Sequence, residues 1–246
     1  MERPEQRRGR WVKWIVGAVV AVPLGAVVAA YLVFFTPDSP PKLRLSTRAP
    51  EPAYAVPVGE WSVGAGSVAG YRVREKLLSL PAPNDAVGRT SAITGGFRLT
   101  GEGGALRVER GMRIDVDVST LKSDEDRRDD HMRTMAIESA QFPTATFVST
   151  SELVLPAAVG QAATAVQGDL TLHGVTRSVS VPVQAQHAAG RIEVVGSLNF
   201  TWDQFDMKRP NLSYVTVESD PTLEFQLFFD HGPVAPIGAG QSSIVA

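Results

Sequence analysis

Between residues 59 and 232, apolar and polar side chains alternate along several short runs of the chain. Alternation with a period of two sends one side chain to the core and the next to solvent, which is typical of antiparallel β-strands. The clearest runs are residues 113–118, 166–172, 179–184, 192–200 and 223–229. About eight such strands that share one apolar face, within roughly 170 residues, predict a closed barrel or a sandwich.

The segments between these runs carry turn signals. His173 and Gly174 separate two alternating runs and predict a tight hairpin, because glycine readily adopts a positive φ. Residues 101–104 and 188–190 predict further hairpin turns. One helix is predicted over residues 123–135, with Ser123 as its N-cap and acidic residues in its first turn. The pattern therefore predicts an all-β domain with one short helix.

A long apolar run precedes this domain. Residues 15–35 contain no charge, and a helix of this length spans the roughly 30 Å of a bilayer's hydrocarbon core. Basic residues flank only its N-terminal side, and by the positive-inside rule residues 1–13 stay in the cytoplasm. We therefore expect a single transmembrane helix at 14–35 in the cell membrane, with the C-terminal domain extracytoplasmic. A cleaved signal peptide is the alternative, although the run ends in bulky side chains.

Two other segments lack a periodic pattern. Residues 36–58 contain six prolines, which favour extended polyproline II backbone and predict a semi-rigid spacer. Residues 233–246 are small and weakly patterned, and they predict a flexible tail. The folded domain is thus expected at 59–232.

Composition narrows the chemistry. The chain contains no cysteine, which excludes disulfides, thiol nucleophiles and a lipoprotein anchor. From residue 59 onward it carries 16 Lys and Arg against 22 Asp and Glu, so no nucleic-acid partner is expected. Hydrolase, zinc-protease and nucleotide-binding signatures are absent from the sequence. We therefore predict that the protein is not an enzyme and uses no cofactor.

Metal binding is not predicted either. The histidines are His131, His173, His187 and His231, and the sequence does not bring them together with carboxylates in a zinc-site pattern. The acidic run 124–130 lacks the spacing and the internal glycine of a calcium loop, and it is typical of a solvated helix face.

Three segments carry a family likeness. The first joins residues 128–133 (RDDHMR) to 142–149 (FPTATFVS), the second is 166–177 (VQGDLTLHGVTR), and the third joins 196–201 (GSLNFT) to 223–227 (LEFQL). In order, spacing and residue type they resemble the YceI-like family of bacterial lipid- or polyisoprenoid-binding proteins. The likeness covers about residues 59–230.

The resemblance implies an eight-stranded antiparallel, lipocalin-like barrel with a long apolar cavity. It also implies an isoprenoid-type lipid as ligand and a place in the cell envelope. Periodicity alone leaves open whether the inward side chains fill a solid core or border a cavity. A structural or interaction protein of the cell envelope, with a filled barrel, is therefore the alternative function, and a homodimer stays open.

A set of inward-facing apolar residues is predicted to bind the ligand. They lie on the apolar faces of the alternating runs, or at positions that match the family's motifs: Phe97, Phe147, Leu170, Val181, Leu198, Phe200 and Phe225. One departure from the family pattern is a longer stretch at 75–89, with Leu77, Leu78 and Leu80 beside prolines. We expect these three leucines to lie in a loop and to cover one barrel end or touch the membrane surface.

Overall fold

The computed structural model describes residues 39–50, 56–77, 83–102, 105–156, 161–212 and 215–232. The chain divides into two compact units, Met1–Ser39 and Pro40–Ala246, and the strands and helices of the fold belong to the second unit. No helix among the described residues has the length and apolarity needed to cross a membrane. The predicted span at 14–35 and the predicted tail at 233–246 lie outside the described residues.

Antiparallel strands dominate the described residues. In chain order they are β1 (Gly59–Val63), β2 (Val68–Leu77), β3 (Asn84–Thr90), β4 (Ile93–Glu102), β5 (Ala105–Val108), β6 (Arg113–Asp117), β7 (Thr144–Ser149), β8 (Leu153–Pro156), β9 (Gln161–Leu172), β10 (Val175–Ala188), β11 (Arg191–Asn199), β12 (Asn211–Leu212), β13 (Val215–Val217) and β14 (Thr222–His231). The helical elements are α1 (Asp126–His131), a π-helical turn (Met132–Ala136) and 3-10 helices at Val118–Thr120 and Trp202–Phe205.

Eight of the strands close a barrel. Its hydrogen-bonded order is β1, β4, β6, β7, β9, β10, β11 and β14, and β14 pairs back onto β1. Every one of these pairings is antiparallel. The structure thus confirms the predicted eight-stranded antiparallel barrel with one short α-helix.

Further strands extend the barrel at its two ends. At one end β2 continues along β14 beyond β1, and it pairs with β3 and β13. At the other end β5 pairs with β4 and with β8. The barrel is therefore deeper than its shortest strands, β1 and β6, would allow.

Two apolar clusters lie at opposite ends of the barrel. At the end covered by α1 and the π-helical turn, called the α1 end, Met132 and Ala136 pack with Leu172, Trp202 and Phe205. At the Trp61 end, Trp61 packs with Phe97, Leu99 and Phe229. The ring centroids of Phe97 and Phe229 are 4.9 Å apart. A third, smaller cluster lies on β9 and β10 and consists of Val166, Val181 and Val183.

The helix begins later than predicted. Ser123 was the expected N-cap, but α1 starts at Asp126, and the Glu125 side chain accepts the hydrogen bond from the backbone N–H of Arg127. Ser123 instead donates its hydroxyl to Oδ1 of the buried Asp129 at 2.7 Å. The prediction of Ser123 as cap was wrong, because a carboxylate six residues later competes for the same side chain.

The predicted hairpin at His173 and Gly174 is confirmed. β9 ends at Leu172 and β10 begins at Val175, and the two turn residues have φ values of 52° and 74°. The turn between β10 and β11 is built in the same way, with φ values of 54° at Ala189 and 72° at Gly190. Both turns suit the right-handed twist of the strands that they join.

The stretch at 75–89 is mostly a hairpin and not a loop. β2 runs on to Leu77, and β3 pairs with it from Glu75–Asn84 to Ala69–Thr90. The loop prediction was wrong for Leu77, which belongs to β2. The sequence pattern did not predict β3 (NDAVGRT), because this strand has no clear alternation and is held by pairing with its neighbour. Leu78, Leu80 and the side chain of Leu77 lie outside the described part of the chain.

Part of the predicted spacer lies on the barrel. Residues 40–46, called the strap, cross the outer face of β3, β2, β14 and β11. Arg72 and Arg89 donate to the carbonyl oxygens of Pro40 and Pro41, each at 2.7 Å. Further along, the Ser46 hydroxyl donates to Glu193 at 2.6 Å. This part of the proline-rich segment therefore belongs to the folded unit.

Candidate ligand cavity

A cavity of about 270 Å³ lies inside the barrel. Its volume is near the lower end of the roughly 300–1,000 Å³ that is typical of small-molecule sites. Seven of the eight barrel strands, all except β1, contribute residues to its wall, together with β2, β5 and β8. The inner face of the barrel thus encloses space and does not form a solid core.

The alternation of side chains along each strand determines which residues form the cavity wall. On β14, Leu223, Phe225 and Leu227 line the cavity, whereas Gln226 lies on the outer face and donates to the carbonyl oxygen of Arg44 in the strap. On β10, Val181 and Val183 line the cavity in the same way. The period-two pattern therefore decides which side chains reach the lumen.

The structure places every predicted site residue on this wall: Phe97, Phe147, Leu170, Val181, Leu198, Phe200 and Phe225. Four of them are buried, but Phe147, Leu198 and Phe225 are half-buried. These three side chains lie on the inner face of the closed barrel, so their partial exposure is consistent with a position beside the open lumen. Their contact with a ligand stays a prediction.

Glycines opposite two of the aromatic rings help to shape the lumen. A Cβ on Gly168 would lie 2.3 Å from Cζ of Phe147, and one on Gly196 would lie 2.4 Å from Cζ of Phe225. Gly196 and Phe225 are direct partners in the β11–β14 register. The rings therefore lie flat against the neighbouring strand, where any other residue would push them toward the cavity axis.

Electrostatic contacts hold the covering segments at the α1 end. Arg128 of α1 donates to Glu75 of β2 at 2.6 Å. Nε2 of His173 lies 2.8 Å from the carboxylate of Glu138, and its Nδ1 lies 3.1 Å from the carbonyl oxygen of Phe205. The first contact ties α1 to β2, and the His173 contacts tie Glu138 and the Trp202–Phe205 helix to the β9–β10 hairpin.

Some polar side chains interrupt the apolar wall. Tyr71 of β2 lines the cavity near the α1 end, and His187 lines it near Trp61, whose ring centroid is 6.2 Å away. Thr164 lies on the wall contributed by β9. The sequence-based prediction of the wall did not include Tyr71, although its spacing from Ala69 and Val73 places all three on one face of β2.

The chemistry of the wall favours an apolar ligand. Burial of apolar surface contributes about 25 cal/mol per Å², so a ligand in this cavity gains affinity mainly from its hydrocarbon part.

Among the described residues, no cluster of three or more His, Asp and Glu side chains could hold a metal ion. Asp130 pairs with Arg133 at 2.5 Å, and Nδ1 of His131 lies 2.8 Å from the carbonyl oxygen of Arg127.

Of three similar solved structures, one shares this fold and the other two give lower scores. A polyisoprenoid binding domain from Saccharophagus degradans, implicated in plant cell wall breakdown, gives a TM-score of 0.52 at 18% identity, over 71% of this chain and 99% of that one. BcnA of Burkholderia cenocepacia gives 0.46 at 18% identity, over 65% and 95%. A YceI protein of Campylobacter jejuni gives 0.44 at 13% identity, over 62% and 90%. At these identities the likeness concerns the fold alone.

Sequence comparison supplies the family. No curated protein matches the chain. The model of the YceI-like domain, however, matches residues 71–229, which is more than half of the chain and runs from β2 into β14. The chain therefore belongs to the YceI-like family.

Proposed function

We propose that this protein binds an isoprenoid-type lipid in its barrel and serves as a carrier, buffer or sensor of that lipid outside the cytoplasm, anchored by residues 14–35. The observation that carries the proposal is an apolar cavity whose wall includes half-buried aromatic and aliphatic residues in the middle of the strands. A prenyl chain has few hydrogen-bonding groups, and a mostly apolar wall leaves few hydrogen-bonding groups to be satisfied.

Two further points support the proposal. The Saccharophagus degradans domain is described as polyisoprenoid-binding and shares the fold. The cavity lies within a barrel of eight strands, a size that holds one slender ligand. A structural protein with a filled barrel is the weaker alternative, because side chains that only filled a core would not leave this cavity. We propose binding and not catalysis for the same site.

Native mass spectrometry of the protein purified from membranes tests the proposal. We expect an adduct of several hundred daltons, the mass range of prenyl lipids, that leaves the protein on extraction with organic solvent. A bare protein mass under gentle conditions, together with no uptake of added prenyl alcohol, would contradict it. An adduct that resists organic extraction would point to a covalent modification instead.

A further inference from the structure

A buried hydroxyl on the cavity wall has no partner among the described residues. Tyr71 is only 5% exposed and lines the cavity, and its apolar cluster includes Met132, Leu170 and Phe200. Its Oη makes no hydrogen bond to any side chain or backbone group of the described chain. Because buried polar groups nearly always find a partner, an unpartnered hydroxyl beside a cavity indicates a partner that enters the cavity.

The position of this hydroxyl is fixed by packing. Gly88 of β3 is the direct partner of Tyr71 in the β2–β3 register. A Cβ at Gly88 would lie 2.3 Å from Cε1 of the Tyr71 ring, so the ring lies against bare backbone. The ring and its hydroxyl are thus held beside the Gly88 backbone, and the hydroxyl has a fixed place on the cavity wall.

The surroundings of Tyr71 disfavour an anion. No Lys or Arg is among the described residues of the cavity wall. Arg128, the nearby cation, is already engaged by Glu75 and Asp124. Burial raises the pKa of Tyr71. The positive charge of Arg128 opposes this effect, but the negative charge of Asp129 adds to it, and the net direction of the pKa shift is upward, so the phenol stays neutral. A phosphate placed here would be a buried charge without a cation, which costs much free energy.

We propose that the Tyr71 hydroxyl binds the neutral oxygen terminus of the lipid, a hydroxyl or a carbonyl, so that the barrel selects neutral prenyl lipids over prenyl phosphates. This inference rests on the proposed lipid binding and adds the polarity of the ligand's head and its place at the α1 end. A neutral phenol can donate one hydrogen bond and accept another, which matches an alcohol.

The test compares ligands that differ only at the head. The full chain is placed in nanodiscs, and three ligands compete with a fluorescent prenyl probe: a C20 prenyl alcohol, the C20 hydrocarbon without the hydroxyl, and the C20 prenyl phosphate. Each ligand is compared between wild type and Tyr71→Phe, so its partition into the nanodisc cancels. Thr176→Val, which removes a hydroxyl from the exposed outer face of β10, is the matched control.

We expect Tyr71→Phe to weaken alcohol binding by about 2- to 10-fold, the loss of one hydrogen bond, and to leave hydrocarbon binding unchanged. Thr176→Val should change neither, and wild type should prefer the alcohol to the phosphate. Equal alcohol binding by wild type and Tyr71→Phe would overturn the assignment, as would tighter binding of the phosphate. If hydrocarbon binding falls in parallel, Tyr71 only shapes the wall. If wild type binds none of the three ligands, the proposed lipid binding itself fails.

Discussion

Substitution of single wall residues can distinguish an open cavity from a filled core, and Leu198 offers the most direct test. Leu198 is half-buried on the inner face of β11 and borders the cavity. We expect Leu198→Trp to place its extra volume in the lumen, leaving the melting temperature of the empty protein nearly unchanged while excluding the lipid. Thermal unfolding and lipid occupancy, measured on the same preparation, check both parts.

The same substitution at a packed position is the control. Leu99 also faces the lumen but is only 2% exposed and belongs to the cluster around Trp61. Leu99→Trp should overpack that cluster and destabilise the fold by about 1–3 kcal/mol. A Leu198→Trp protein that unfolds as readily as Leu99→Trp would contradict the presence of usable space at Leu198.

Glu193 makes the barrel sensitive to acid. Burial alone would raise the pKa of this carboxyl, but hydrogen bonds from Ser46, Gln186 and Gln226 outweigh burial and hold the pKa below its usual value. The unfolded chain therefore binds the proton more readily. The stabilisation is present above the ordinary glutamate pKa of about 4.3 and is lost as the pH falls below it.

Urea unfolding between pH 3 and pH 7 checks this sign. Glu193→Gln should lower the free energy of unfolding at neutral pH by about 1.5–3 kcal/mol, the range for hydrogen bonds to a charged group. The difference from wild type should shrink toward pH 3. Glu109→Gln, at an exposed carboxylate, is the control and should change the free energy of unfolding neither at pH 7 nor at pH 3. A Glu193→Gln deficit of the same size at both ends of the range would show that the charge is irrelevant.

At the level of elements, the docking of the strap on the barrel is the feature that the sequence pattern did not predict. Proline cannot donate a backbone hydrogen bond, but its carbonyl still accepts one, and Pro40 and Pro41 do so from Arg72 and Arg89. Arg89 also pairs with the buried Glu224 at 2.7 Å. The strap thus partners polar side chains of the outer face.

Replacing residues 40–46 with a Gly/Ser sequence of equal length tests the strap. We expect a lower melting temperature, because a flexible chain loses more entropy on docking and the hydrophobic cover of Leu43 and Leu45 is lost. The same replacement at residues 47–50, which are exposed, is the control and should have little effect. Equal melting temperatures for wild type and the strap variant would mean that the docked segment adds no stability.

Sequence periodicity predicted the barrel's inner face but could not predict how far the barrel was filled. Alternation assigns each side chain to a face, which is why Phe147, Leu198 and Phe225 were found on the wall. The remaining space depends on how rings pack across strands, as Phe225 does over Gly196. That packing, like the contacts of the strap, joins residues far apart in sequence.

β3 and Tyr71 were missed for related reasons. β3 lacks alternation and is held by pairing with β2 and by a bridge from Arg89 to Lys122, so a local pattern could not reveal it. Tyr71 alternates correctly, but its single unpartnered hydroxyl is visible only once its surroundings in the described chain are known. The local pattern of apolar and polar residues therefore predicted most of the strands. The chemistry of the site became visible only when the strands were assembled into the barrel.

At the level of the whole molecule, the charge asymmetry around residues 15–35 makes a prediction about where the barrel lies. Residues 1–13 hold five basic residues against two acidic ones, whereas the apolar run has no basic flank on its other side. By the positive-inside rule we expect the N-terminus to stay in the cytoplasm and the barrel to be exported, where a lipid of the outer leaflet would be within reach.

Alkaline phosphatase fused after residue 232 tests this orientation, because that enzyme is active only after export. We expect activity from the full chain, with the fusion recovered in the membrane fraction. Replacing the basic residues of 1–13 with neutral ones should reduce the exported fraction, since these charges set the orientation. A reporter that works only in the cytoplasm would refute the orientation. A soluble fusion that begins near residue 36 would show that the apolar run is cleaved and that the barrel is released from the membrane.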